Sequence, residues 1–114
     1  SYAVEALTRF CLAYLHIAEM GIDKPGAAGP AFDLFKLRSI WKGLYMTNYG
    51  YDLSRSNAVL QAGLADMVSF GIPFLANPDL PRRFATGAAL NTPDVATFYG
   101  GDAKGYTDYP ALSA

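Results

Sequence analysis

Apolar residues recur along this chain with two different periods, and the period switches several times. In residues 2–12, Val4, Leu7 and Cys11 fall three and four apart, with Glu5 and Arg9 as an i,i+4 pair, so the opening segment predicts a helix. Cys11 lies on the stripe of Leu7, which predicts a buried, inert thiol. Residues 13–18, AYLHIA, form an apolar run too short for a helix and predict a buried strand. Residues 19–30 contain Gly21, Pro25, Gly26, Gly29 and Pro30 and predict a loop. Helical spacing returns in residues 31–41 through Leu34, Leu37 and Trp41, with Gly43 as the stop.

A second strand is predicted over residues 44–48, LYMTN, followed by a turn through Tyr49, Gly50, Tyr51 and Asp52. Residues 54–62 predict a helix closed by Gly63, and residues 66–70, DMVSF, a third strand ended by Gly71. Asn77, Pro78 and Asp79 then read as helix punctuation, with Arg82 and Arg83 complementing the dipole of a short helix that runs to Gly87. From residue 88 to 114 periodicity disappears, and the aromatics Phe98, Tyr99, Tyr106 and Tyr109 are expected to anchor a tail that folds back on the body.

Strands alternating with helices imply right-handed crossovers and a parallel sheet. Three strands make a poor one, because both faces need cover and both edges stay open. A barrel of eight strand–helix units takes roughly 250 residues, and this chain has 114. The expected fold class is therefore α/β and incomplete.

Composition narrows the function. The chain is 52% hydrophobic and 17% charged, against roughly 25% charged in an average soluble domain, so disorder is excluded. Nine Lys and Arg face ten Asp and Glu, and the cations are scattered except for Arg82–Arg83, which argues against a nucleic-acid partner. One cysteine and one histidine leave no disulfide framework and no metal site. No apolar run reaches the roughly 18 residues of a membrane span and no signal peptide is visible, so the expected location is cytoplasmic. His16 lies mid-strand, facing opposite to Leu15 and Ile17, and reads as a hydrogen-bonded core histidine; Asp66, at a strand start, reads as a partner for nearby backbone.

In parallel α/β architectures ligands bind at the carboxyl ends of the strands. Gly50 and Gly71 sit at two such ends, each ahead of a helix, where backbone N–H groups could receive a phosphate. Phe98 and Tyr99, beside flexible glycines, could wall a flat aromatic ligand.

The segment FGIPFLANPDLPRRF at residues 70–84, followed by TFYGG and GYTDYP, closely resembles the C-terminal end of the old yellow enzyme family. AYLHIAE, GLYMTNYGYD and ADMVSFG look like that family's sixth, seventh and eighth barrel strands. The resemblance implies the C-terminal part, about strands six to eight, of a (β/α)8 TIM barrel, with residues 88–114 a tail over the barrel mouth. It also implies FMN as cofactor, NADPH as reductant and a small-molecule activated alkene as hydride acceptor. Tyr49 and Gly50 then correspond to one backbone contact with the FMN phosphate, Gly71 and Ile72 to a second, and Phe98 and Tyr99 to aromatics beside the flavin, with Tyr99 also at the substrate.

Two departures from the family pattern bear on the phosphate. The family usually carries arginine where this chain has Ile72, and a small residue, often glycine, where it has Tyr49. Weakened FMN binding is the expectation. The family's paired His/Asn substrate ligands and its tyrosine proton donor lie in the first five strands, so no catalytic residue is assigned here. The remainder of the barrel is the expected partner, and the segment alone is expected to be inactive. A non-catalytic half-barrel or interaction module is the alternative.

Overall fold

A computed structural model of the chain describes residues 2–19 and 33–113. It divides into two compact units, Ser1–Ser69 and Phe70–Ala114.

The first unit runs α1 (Tyr2–Leu7), β1 (Tyr14–Ala18), α2 (Lys36–Ile40), β2 (Leu44–Asn48), α3 (Leu53–Gln61) and β3 (Met67–Val68). The strands form one parallel sheet in the order β1-β2-β3. Tyr14 pairs with Leu44 and Ala18 with Asn48 along β1 and β2, and Met46 pairs with Met67 along β2 and β3. Parallel neighbours need a crossover connection, which is why each strand is separated from the next by helix. Most of the loop expected at residues 19–30 lies outside the described residues.

Alternation along the strands gives the sheet two unlike faces. Leu15, Tyr45 and Thr47 are buried, as are Val4, Leu37, Trp41 and Val59 from the helices and the Trp41 loop. Trp41 donates its indole N–H to the Leu44 carbonyl at 2.8 Å, and the Tyr45 hydroxyl donates to the Leu34 carbonyl at 3.0 Å. Burying each such large side chain stabilises the fold by roughly 1.5–3 kcal/mol. Burial pushes the Tyr45 phenol up to about 12, and the Glu19 charge adds to the effect. On the other face Tyr14 and Leu44, paired across the ladder, are 48% and 51% exposed. His16 stands on this open face, exposed, with Nε2 3.0 Å from Ser69 Oγ; it is hydrogen-bonded as expected but is not a core residue.

Several boundaries differ from the periodicity. α1 stops at Leu7, so Cys11 lies beyond the helix and is exposed rather than buried. β3 keeps only Met67–Val68 of its expected five residues, the two that pair with Met46 and Thr47 of β2. Asp66, just before it, accepts the Tyr45 N–H at 2.8 Å and meets Arg38 at 3.2 Å, the backbone-pairing role expected of it. α3 starts one residue early because Asp52 caps it, accepting the Arg55 N–H at 2.7 Å.

The second unit holds α4 (Ile72–Ala76), α5 (Leu80–Thr86) and a 3-10 turn at Val95–Thr97. α4 fills the stretch between Gly71 and Asn77, to which no element was assigned from the sequence; Pro73 sits in its first turn, where a missing N–H costs nothing. α5 ends at Gly87, φ 67°, as the glycine suggests.

Asn77, Asp79 and Arg83 do more than punctuate. The Asp79 side chain makes no cap; it accepts the Leu112 N–H at 2.8 Å and the Arg83 Nε–H at 2.7 Å. Those two contacts, the Leu112 backbone first, hold its carboxyl below the usual carboxylate range. Arg83 is buried and donates to the carbonyls of Ala89 and Pro110, while Arg82 donates to that of Ser113 at 2.8 Å. Asn91 donates its N–H to Asn77 Oδ1 and its amide to the Ala76 and Pro110 carbonyls. The tail is therefore anchored by polar groups. Tyr99 and Tyr106, expected as anchors, are 93% and 69% exposed.

Candidate functional site

The chemistry available at the carboxyl end of β2 begins with its turn. Tyr49 takes φ 102° and Gly50 φ 66°. A side chain at positive φ brings Cβ against the backbone and costs about 1–2 kcal/mol, so Tyr49 occupies a position suited to glycine. Its ring is 40% exposed.

Behind this turn lies a buried carboxylate. Glu19 follows the last residue of β1 and donates its N–H to the Asn48 carbonyl at 3.1 Å, continuing the ladder beyond the strand. Alternation places it on the covered face with Thr47. Its Oε1 accepts from the Thr47 hydroxyl and from the Tyr51 hydroxyl, the latter at 2.7 Å. Its Oε2 accepts from Arg55 Nη2 at 3.0 Å. Burial raises the Tyr51 phenol above its ordinary value; its hydrogen bond with Thr47 opposes this and that with Glu19 adds to it.

Arg55, in the first turn of α3, closes the arrangement. Its guanidinium lies 4.2 Å from the centroid of the Tyr51 ring, and its Nη1 donates to the carbonyls of Tyr49 and Gly50, each at 3.3 Å. The side chain spans the carboxylate, the ring face and the turn. Sequence reasoning did not single out Glu19, Thr47 or Arg55. An acid immediately after an apolar strand, at the end where α/β folds bind ligands, was the available signal.

The second candidate phosphate element is in the other unit. Gly71 precedes α4 with φ −91° and accepts from the Phe74 and Leu75 N–H groups at 3.0 and 2.9 Å. A Cβ at Gly71 would meet nothing within 4 Å, so the backbone there is open to approach. Ile72 is 52% exposed. Phe98 caps the 3-10 turn and is half-buried, whereas Tyr99 beside it is almost wholly exposed. Among the described residues, no group of three or more His, Cys, Asp and Glu is placed to hold a metal ion.

No protein-family model matches the chain. It is 37% identical over 115 residues to 12-oxophytodienoate reductase 2 of Arabidopsis thaliana, covering 99% of this chain and 31% of that protein. Morphinone reductase superposes with a TM-score of 0.84 at 45% identity over 97% of this chain. The old yellow enzyme homologue of Zymomonas mobilis superposes with a TM-score of 0.87 at 37% identity over 97% of this chain. The chain belongs to the old yellow enzyme family. It spans about 30% of those two structures and of the curated relatives it matches end to end, so the fold is an incomplete piece of the family's TIM barrel. The open sheet face and the two open edges are what a piece of an old yellow enzyme barrel presents.

Proposed function

We propose that this chain is the phosphate-side portion of an FMN-dependent, NADPH-consuming oxidoreductase that reduces activated alkenes. The observation that carries the reading is the β2–α3 turn. Two successive residues at positive φ follow the middle strand of a parallel sheet, at the end where such folds take their ligands. The relatives named above as reductases supply the chemistry. FMN, when bound, would take hydride from NADPH and pass it to the β-carbon of an enone or maleimide.

Tyr49 and Gly50 would offer backbone to the flavin phosphate, as would Gly71 and Ile72, and the open approach at Gly71 fits that role. Phe98 and Tyr99 would wall the flavin, with Tyr99 also facing substrate. The tail at residues 88–114 would lie over the barrel mouth, and the rest of the barrel would bring the groups that move protons and bind the acceptor's carbonyl. The segment by itself would be inactive.

Ile72 and Tyr49 favour a second reading, a non-catalytic barrel that has lost firm hold of FMN. An aliphatic side chain cannot make the charge-assisted contact, roughly 1.5–3 kcal/mol, that an arginine makes with phosphate. Flavin fluorescence titration of the full-length protein decides between the two. The enzyme reading expects a yellow protein that consumes NADPH with an enone, and Ile72→Arg to tighten FMN binding by about tenfold, the lower end of that contact at an exposed position. A colourless protein inert toward NADPH and enone, with no gain from Ile72→Arg, would establish the second reading.

A further inference from the structure

From the Glu19–Arg55 arrangement we infer that Arg55 is a positioning residue for anion recognition: it fixes two consecutive peptide groups of the β2–α3 turn so that their N–H bonds face a phosphate. The inference rests on the phosphate reading above and adds the side chains that make the turn competent.

The argument is one of peptide geometry. A trans peptide carries its C=O and N–H on opposite sides, and the chain has no cis bond among its described residues. Arg55 Nη1 holds the Tyr49 and Gly50 carbonyls on one side of the turn. The N–H groups of Gly50 and Tyr51, the other halves of those two peptides, must therefore point to the opposite side. Among the described residues neither N–H is given to another acceptor. Successive N–H groups converging from a turn with positive φ form a concavity that suits an anion.

A flipped Tyr49–Gly50 peptide, a rotation that a glycine at position 50 tolerates, would turn a carbonyl toward the ligand instead. Arg55 opposes that flip. Its own position is set by the Glu19 carboxylate on one side and the Tyr51 ring beneath, and Tyr51 in turn holds Glu19 through its hydroxyl. Three points fix a planar fork. A lysine ammonium, a point charge without that fork, cannot serve the carboxylate and both carbonyls together. Arg55 thus acts from behind the turn, on backbone carbonyls, and its role differs from that of a cation laid against the phosphate.

The test compares FMN with riboflavin, which lacks the phosphate, by fluorescence titration of the full-length protein and its Arg55→Lys, Arg55→Ala and Glu19→Gln variants. Far-ultraviolet circular dichroism checks that each variant is folded. The wild type is expected to prefer FMN. In Arg55→Lys and Arg55→Ala that preference should fall by about tenfold, as for loss of one strong hydrogen bond to the phosphate, with riboflavin affinity unchanged within about twofold. Glu19→Gln should fall in the same direction by less, because it keeps the neutral contacts to Thr47 and Tyr51. A wild type that binds FMN and riboflavin equally overturns the phosphate reading itself, and this inference with it. A wild type that prefers FMN, with the preference unaltered in the variants or with both flavins weakened alike, overturns the inference and leaves the phosphate reading standing. If Arg55→Ala does not fold, the lysine and Glu19→Gln variants decide the same question.

Discussion

Gly105 and Gly100 offer a matched pair for testing how the tail is built. Both lie in the second unit at nearly the same backbone angle, φ 72° and 74°. They differ in space. A Cβ at Gly100 would meet nothing within 4 Å, whereas at Gly105 it would overlap Oγ1 and Cβ of Thr97 and stand 3.0 Å from its Cγ2. Alanine at positive φ costs about 1–2 kcal/mol, offset by roughly 0.4–1 kcal/mol from the stiffer unfolded chain. Gly100→Ala should therefore destabilise by about 1 kcal/mol. Gly105→Ala carries the same penalty plus an overpacking cost of about 1–3 kcal/mol, because the branched Cβ of Thr97 cannot swing aside as the end of a flexible chain would. Urea unfolding of the full-length protein, followed by the tyrosine and tryptophan fluorescence, measures both. Equal midpoints for the two variants would refute the close approach of residue 105 to residue 97. So would relief of the Gly100→Ala deficit, but not the Gly105→Ala one, by Thr97→Gly.

Three further outcomes follow from the geometry. Tyr49→Gly should raise stability by about 0.5–1 kcal/mol, the left-handed strain of about 1–2 kcal/mol less the extra unfolded-state entropy of glycine, and a lowered Tm would count against the strain. The Tyr45 phenol titrates near 10 when unfolded and is pushed up to about 12 in the fold, so its contribution is full below about pH 10 and lost as pH rises through 12. Urea midpoints should accordingly fall faster between about pH 10 and about pH 12 in the wild type than in Tyr45→Phe; parallel curves would remove the claim. Arg83→Met should expose residues 88–113 to limited proteolysis while residues 2–19 keep their protection, and Arg83→Lys should restore little of the loss, since a lysine cannot reach Asp79, Ala89 and Pro110 at once.

Local features were readable in the sequence, and groups joined across long separations were not. The alternation that buries Leu15 and Tyr45, and the glycines that stop α3 and α5, depend only on near neighbours, so periodicity and cap chemistry found them. The parallel three-stranded sheet followed from strand–helix alternation. The candidate turn at Tyr49–Gly50 was legible from its place after a strand. Glu19 and Arg55 were not, because Glu19 meets Thr47, Tyr51 and Arg55 across 28 to 36 residues, and its place after an apolar strand was the one local sign. The same holds for Asp79 and Arg83: read locally they satisfy a helix end, and only the returning tail shows what they bind. Two of the four tail aromatics misled for a different reason, while Phe98 and Tyr109 are half-buried and the Tyr109 hydroxyl accepts the Asp94 N–H at 2.7 Å. Burial was expected of large rings, yet neither Tyr99 nor Tyr106 is covered in the second unit.

The two carbonyls on Arg83 belong to residues 89 and 110, so one guanidinium pins both ends of the intervening stretch. Everything between them is a closed excursion that leaves and returns to the same point. The entropic cost of such a loop grows only slowly with its length, by about 0.6 kcal/mol per doubling. Residues 92–108, which include Phe98 and Tyr99, can therefore change in length at little entropic cost while Arg83 keeps its two carbonyls. The fold thus separates what must stay fixed from what is free to diverge.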